Sequence, residues 1–368
     1  MRSVIDITEL STEEIDELTD TAMDIIENPE KYAEACKGKK LATLFFEPST
    51  RTRLSFEAAM HELGGSVLSV TGAGASSAAK GESVADTSKI VSCYADIIAI
   101  RHSLEGSAYV AAENASIPVI NAGDGGHCHP TQTTADLLTI KRRFGRFSNL
   151  TVGLCGDLLY GRTTHSLLNA LSRYENNKFI LISPEELSLP GYAKEKLEKS
   201  GCEYEETDNL ENAIPKLDVL YMTRIQKERF DDAAQYERLK DSYCLDVEKM
   251  KLAKQDMCVL HPLPRVNEIS VKVDADSRAC YFDEALNGKY MRMALILKLL
   301  KDNEAEVKAI KRGTTRHFHP SYIPDELKGK AEIDAHVCSN PKCITKAEQE
   351  LSQISVGGKC IFCEHDVN

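Results

Sequence analysis

No apolar run in this 368-residue chain approaches the ~20 residues that a membrane-spanning helix needs. The opening MRSVIDITELSTEEIDEL has neither the basic flank nor the apolar centre of a secretory signal; it is acidic and helix-like, so a soluble, cytoplasmic protein is expected. Basic excess is missing too. Against 45 Lys and Arg stand 57 Asp and Glu, a net charge of −12, and a phosphate backbone needs clustered cations, so nucleic acid is excluded as a main partner. A small anion held by a few focused arginines is not excluded. No internal repeat is present. Cysteine is plentiful, at twelve residues, but a reducing compartment argues against a disulfide framework and leaves the thiols as core residues, site residues or metal ligands. With 42% hydrophobic and 28% charged residues, the chain is long enough for two or three ordinary cores.

Short apolar, β-rich runs alternate with longer helical patterns. The runs are LATLFF (41–46), SVLSV (66–70), DIIAI (96–100), PVI (118–120), LTVGLCG (150–156), KFILIS (178–183), DVLYM (218–222) and MCVL (257–260). Most are too short and too apolar to be half-exposed hairpin strands. Strands buried on both faces and separated by helices indicate a parallel α/β architecture, here two doubly wound parallel-sheet domains. The expected division is 1–130 and 131–283, with a helix over 284–306 closing back on the first domain. The stretch 307–330, rich in Pro and Gly without a clear period, reads as a connector. A small β-rich, cysteine-bearing domain at 331–368 follows.

FFEPSTRTRLSFEAAMHELGG (45–65) is the most informative stretch. An apolar strand ends at Phe46, Pro48 and Ser49 turn the chain, and a helix follows with Phe56, Met60 and Leu63 on one face. A strand's carboxyl end thus meets a helix amino end, where free N–H groups favour anions. Ser49, Thr50 and Thr52 add hydroxyl donors, and Arg51 and Arg53 add forked, charged donors. Ser49 could equally be a plain helix cap, with the arginines solvated.

S-T-R-T-R after a strand resembles the carbamoyl-phosphate motif of the aspartate and ornithine carbamoyltransferases. Further matches follow in that family's order: SSAAKGESVADT (76–87), IRHSLEG (100–106), HPTQ (129–132), GDLLYGRTTHSL (156–167), LYMTRIQKER (220–229) and HPLPR (261–265). The resemblance covers about residues 1–306. TRIQKER and HPLPR look like the aspartate branch; the cysteine that the ornithine branch carries at the place of Pro262 is absent.

The resemblance implies transfer of the carbamoyl group of carbamoyl phosphate to L-aspartate, a step of pyrimidine (UMP) synthesis, without an organic cofactor. It also implies roles. Ser49, Thr50, Arg51 and Thr52 would hold the phosphate, and Arg101 would reach phosphate and carbonyl oxygen. His129 and Thr52 would donate to that oxygen, and Gln132 would take the carbamoyl NH2. Arg162 and Arg224 would grip the aspartate carboxylates, supported by Tyr160, Thr163 and Gln226, with the carbonyls of Leu263 and Pro264 at the carbamoyl or amino end. Ser76 and Lys80, on a Gly/Ala/Ser-rich loop that would otherwise be a plain surface loop, would reach a neighbouring subunit's ligands. The active unit would then be a homotrimer with shared sites, alone or as a pair of trimers. His127, Cys128 and His129 could be read as a metal cluster, but adjacent side chains diverge and His129 has the other role.

Four of the twelve cysteines lie in the last 33 residues. Cys338 and Cys343 are separated by four residues and Cys360 and Cys363 by two, with sixteen residues between the pairs. Two close thiolate pairs give the tetrahedral S4 set that structural zinc prefers. Two disulfides are the alternative, and His336 and His365 could substitute as ligands. With three lysines, no arginine and six carboxylates from Ala331 onward, the tail is a poor nucleic-acid ribbon. PSYIPDELKGKAEIDAHVCSNPKCIT and KCIFCEHDV look like the zinc domain of a carbamoyltransferase regulatory chain, normally a separate polypeptide that docks on the catalytic chain. That implies a fused assembly module binding one structural Zn2+, or a docking site for a separate nucleotide-sensing protein.

Overall fold

The computed structural model describes residues 1–72, 77–225, 233–239, 243–309 and 329–368. It divides into two compact units. The first comprises Met1–Glu9, Thr21–Pro130 and Arg292–Asn368; the second comprises Leu10–Asp20 and Thr131–Met291. Among the described residues no helix is long and apolar enough to cross a membrane.

In the first unit β1 (Lys40–Phe45), β2 (Ser66–Thr71), β3 (Ile97–His102) and β4 (Val119–Asp124) form a parallel sheet in the order β2-β1-β3-β4. In the second, β5 (Thr151–Cys155), β6 (Lys178–Ile182), β7 (Glu203–Thr207), β8 (Val219–Met222) and β9 (Cys258–Leu260) form a parallel sheet in the order β7-β6-β5-β8-β9. Each of the eight apolar runs in the sequence forms a strand. The inner ones are buried along almost their whole length, as expected of strands covered on both faces. A ninth, β7, escapes the pattern because it is an edge strand reading EYEET, with its glutamates exposed. β2 is also an edge strand, and Leu68 on it is 41% exposed, so it is not doubly buried as its composition suggested.

The tail forms a three-stranded antiparallel sheet, β10 (Ala331–Ile333), β11 (Ile354–Val356) and β12 (Lys359–Cys360). Two parallel α/β sheets and a small β-rich module make up the fold class that the sequence indicates. Of the connector, 310–328 lies outside the described residues.

Candidate active site

In the first sheet the strand order reverses between β1 and β3, and open α/β sheets bind ligands beyond the carboxyl ends of strands at such a point. Phe45, the end of β1, pairs with Arg101 on β3, and Phe46 N donates to Arg101 O at 2.9 Å. The chain then turns into the helix Thr50–Glu62. Ser49 occupies its N-cap in an extended conformation (φ −157°, ψ 96°), yet its side chain makes no capping bond. Ser49 is therefore not a side-chain cap, while Arg51 is exposed, as that alternative expected. Thr50, Arg51 and Thr52 open a helix whose first N–H groups lack a side-chain cap, the arrangement that binds anions.

Arg101 is nearly buried. Its Nη1 donates to Ala122 O at 3.1 Å and its Nη2 pairs with Glu47 Oε2 at 3.0 Å. Beside it, Gly123 has φ +116°, and a Cβ there would lie 2.7 Å from Arg101 Nη1 and 3.4 Å from His129 Cδ2. Only glycine lets both side chains approach this backbone. The buried Asp124 organises the turn that presents His129. Its Oδ1 accepts from Cys128 N (3.1 Å) and Asn121 Nδ2 (2.9 Å), while its Oδ2 accepts from Gly106 N (2.9 Å) and faces His127 Nδ1 (3.1 Å). Cys128 Sγ donates to Asp6 Oδ2 at 2.6 Å and lies against the His127 ring. His127 and Cys128 thus meet rather than diverge, but the groups that could hold a metal ion among the described residues lie elsewhere. Lys80 ends the short helix Ser77–Lys80 and is exposed; Ser76 lies outside the described residues.

The second sheet reverses order between β5 and β8. Tyr160, Arg162 and Thr163 follow β5, and Arg224 follows β8. Thr223 ties the two ends together: its Oγ1 donates to Cys155 O (2.9 Å) and accepts from Asp157 N (3.0 Å). Asp157 in turn accepts from Tyr160 N through Oδ1 at 2.9 Å. Tyr160 is exposed, while Arg162, Thr163 and Arg224 are half-buried. Gln226 lies outside the described residues.

After β9, the buried His261 shapes the turn that carries Leu263 and Pro264. Its Nδ1 accepts from Leu263 N at 2.7 Å, so the ring proton sits on Nε2, which donates to Glu268 Oε1 at 2.7 Å. Burial alone would raise the Glu268 pKa, but the bonds from His261 and the backbone hold it below the usual carboxylate value. Gln132 Nε2 donates to Asp136 Oδ1 (2.8 Å) and to Glu284 Oε1 (2.5 Å), and Glu284 Oε2 accepts from His261 N (2.9 Å). Glu47, Asp124, Glu268 and Glu284 went unmarked in the sequence, where nothing local distinguishes them from surface carboxylates.

In the tail the Sγ atoms of Cys338, Cys343, Cys360 and Cys363, all buried, lie within 4.8 Å of one another. Cys338 and Cys363 sulfurs are 3.4 Å apart, and those of Cys343 and Cys360 3.9 Å. A disulfide requires about 2.05 Å, whereas four sulfurs about 2.3 Å from a central zinc stand about 3.8 Å apart. The four thiols are free cysteines and fit a metal ion. Thr345 Oγ1 donates to Cys343 Sγ at 3.2 Å, which favours the thiolate form that a metal needs.

Within the first unit, the tail packs against the segment around Val84–Ala111. Phe362 meets Tyr109 edge-to-face at 5.7 Å, and Ile344, Ile354 and Phe362 share one core with Val84, Ala108, Val110 and Ala111. Backbone bonds add to this: Glu105 N donates to Lys342 O and Ile344 N to Glu105 O, each at 2.9 Å. The Glu105 carboxylate is shared, with Oε2 accepting from Asn340 Nδ2 (2.6 Å) and Oε1 from Gly126 N (3.0 Å). Glu348 accepts from Val84 N.

Comparison with known proteins supplies the frame for these sites. Residues 2–142 match the model of the aspartate/ornithine carbamoyltransferase carbamoyl-P binding domain, and 148–299 that of the Asp/Orn binding domain. The aspartate carbamoyltransferase catalytic subunit of Clostridium novyi is 63% identical over 299 residues, 81% of this chain and 98% of the relative. That of Lachnoclostridium phytofermentans is 60% identical over 301 residues, 82% and 98%. Among solved structures, the catalytic subunit of M. jannaschii aspartate transcarbamoylase superposes with a TM-score of 0.78 at 46% identity, covering 83% of this chain and 99% of that one. The Trypanosoma cruzi enzyme in complex with carbamoyl phosphate and aspartate gives 0.77 at 38%, covering 81% and 96%. The tail lies beyond both family models, but over the rest the motifs, the sheet orders and the relatives agree: the chain belongs to the aspartate/ornithine carbamoyltransferase family.

Proposed function

We propose that the chain transfers the carbamoyl group of carbamoyl phosphate to the amine of L-aspartate, giving N-carbamoyl-L-aspartate and phosphate for pyrimidine synthesis. The observation that carries this reading is the uncapped helix start at Ser49–Thr52, set at the strand-order reversal beside Arg101 and the Gly123–His129 turn. The carbamoyl-phosphate domain is the first unit without its tail (331–368), and the aspartate domain the second. The helix start and Arg51 hold the phosphate, while Arg101, Thr52 and His129 donate to the carbonyl oxygen as the amine attacks. Gln132 accepts from the carbamoyl NH2. Arg162 and Arg224 are forked donors suited to two carboxylates, with Tyr160, Thr163, Gln226 and the carbonyls of Leu263 and Pro264 in support. None of these side chains is a strong general base. The departing phosphate takes the amine proton, and catalysis rests on proximity and preorganised donors. A pH–rate profile that demands a separate protein base, abolished by one substitution outside this set, contradicts that assignment.

For the tail we propose a structural Zn2+ on Cys338, Cys343, Cys360 and Cys363, in a module equivalent to the zinc domain of a regulatory chain. Its packing within the first unit supports an assembly role, because fusion makes the docking contact intramolecular. The purified chain is then active without inhibition by CTP or activation by ATP; strong nucleotide effects on it favour the alternative, a dock for a separate regulator. We also assign a homotrimer with Ser76 and Lys80 reaching the neighbouring site.

A further inference from the structure

Gln132 can serve a carbamoyl NH2 only with its carbonyl oxygen, yet a glutamine side chain presents O and NH2 in two nearly isosteric orientations. The second unit resolves this choice with two acids. Both protons of Gln132 Nε2 are committed, one to Asp136 Oδ1 at 2.8 Å and the other to Glu284 Oε1 at 2.5 Å. Oε1 is the atom left to meet a ligand. Asp136 and Glu284 are each at most 1% exposed, so neither carboxyl swings out to water. Glu284 stands in the first turn of the helix Tyr281–Asp302, and its second oxygen accepts from His261 N at 2.9 Å. The same His261 fixes Leu263 through its Nδ1.

We propose that Glu284 is a positioning residue: it sets the Gln132 amide with its oxygen toward the carbamoyl group and ties it to the His261–Pro264 turn. Two adjacent buried acids cannot both be ionised cheaply. Burial first, and then the Asp136 carboxylate, push Glu284 well above its ordinary pKa, so the pair retains a proton and still offers an acceptor to each N–H of Gln132. If Glu284 were neutral filler, a leucine would serve; here each oxygen has a specific donor.

This inference rests on the reading of Gln132 as the acceptor for the carbamoyl NH2, and a double-mutant cycle separates the two. On the full-length chain, kcat/KM for carbamoyl phosphate is measured for the native protein, Glu284→Ala, Gln132→Ala and the double variant, with thermal midpoints as control. Glu284→Ala is expected to cost about tenfold in the native background but less than about twofold when Gln132 is already absent. An equal loss in both backgrounds overturns the proposal, since Glu284 then acts independently of Gln132. Gln132→Ala at native rates overturns the reading of Gln132 itself and the proposal with it. If Glu284→Ala does not fold, Glu284→Gln is read in the same cycle. It keeps the volume but replaces an acceptor with a donor, and the same loss of additivity is expected.

Discussion

Arg101 and His129 share one patch of backbone, and Gly123 is what permits it. An alanine at 123 would have to hold φ near +116° and meet Arg101 Nη1. Gly123→Ala is expected to destabilise by about 1–3 kcal/mol and to lower kcat with it, read by thermal denaturation and steady-state rates. Arg101→Ala, which would remove the donor proposed for the developing oxyanion, is expected to lower kcat about 10²–10³-fold and, by leaving Glu47 and Ala122 O without their partner, to lower the thermal midpoint as well. Next to it, burial pulls the His102 pKa down to about 4, while its Nδ1 accepts from Leu104 N at 3.0 Å. The folded state therefore takes up the proton later than the unfolded chain. Stability attributable to His102 is complete above about 6.5 and is lost as pH falls toward about 4. His102→Asn, which keeps an acceptor without the titration, should flatten that loss in denaturant melts. An unchanged acid slope would sink the assignment. Residues such as Ser49–Thr52 are legible because they are contiguous and their chemistry depends only on a strand–helix junction. Glu284 is not: its partner Gln132 is 152 positions away, and an acid opening a helix looks like a dipole partner.

Strands are legible where both faces are covered, since burial then leaves an unbroken apolar run. β7 is hidden because an edge position tolerates EYEET, where intrinsic preference and burial disagree. The tail divides in the same way. Its thiol spacing picks out the four cysteines that could hold a metal ion, but the surface that receives it is recognisable only in three dimensions. The helix Ser107–Asn114, SAYVAAEN, buries Ser107, Ala108, Val110, Ala111 and Asn114, and the tail covers it with Phe362 and Ile344. Phe362→Ala is expected to cost about 3–5 kcal/mol of docking, seen as faster hydrogen exchange in 331–368. Chelating the proposed Zn2+ should melt the tail in a separate, lower transition by calorimetry, while the two α/β units unfold at their original temperature. A single unshifted transition would mean that the four thiols hold nothing structural.

At the scale of the molecule, the chain combines a carbamoyltransferase family body with a cysteine-bearing module that lies beyond both family models. If sites are shared, mixing Arg51→Ala with Lys80→Ala chains should restore partial activity to two inactive preparations, because some interfaces recover a complete residue set. No recovery would place Lys80 outside the neighbouring site. The most direct measurement is product analysis on the purified full-length chain supplied with carbamoyl phosphate and either L-aspartate or L-ornithine. The expected result is N-carbamoyl-L-aspartate with stoichiometric phosphate, and little or no turnover of ornithine. Preference for ornithine, or no turnover of either amine, would contradict the assignment.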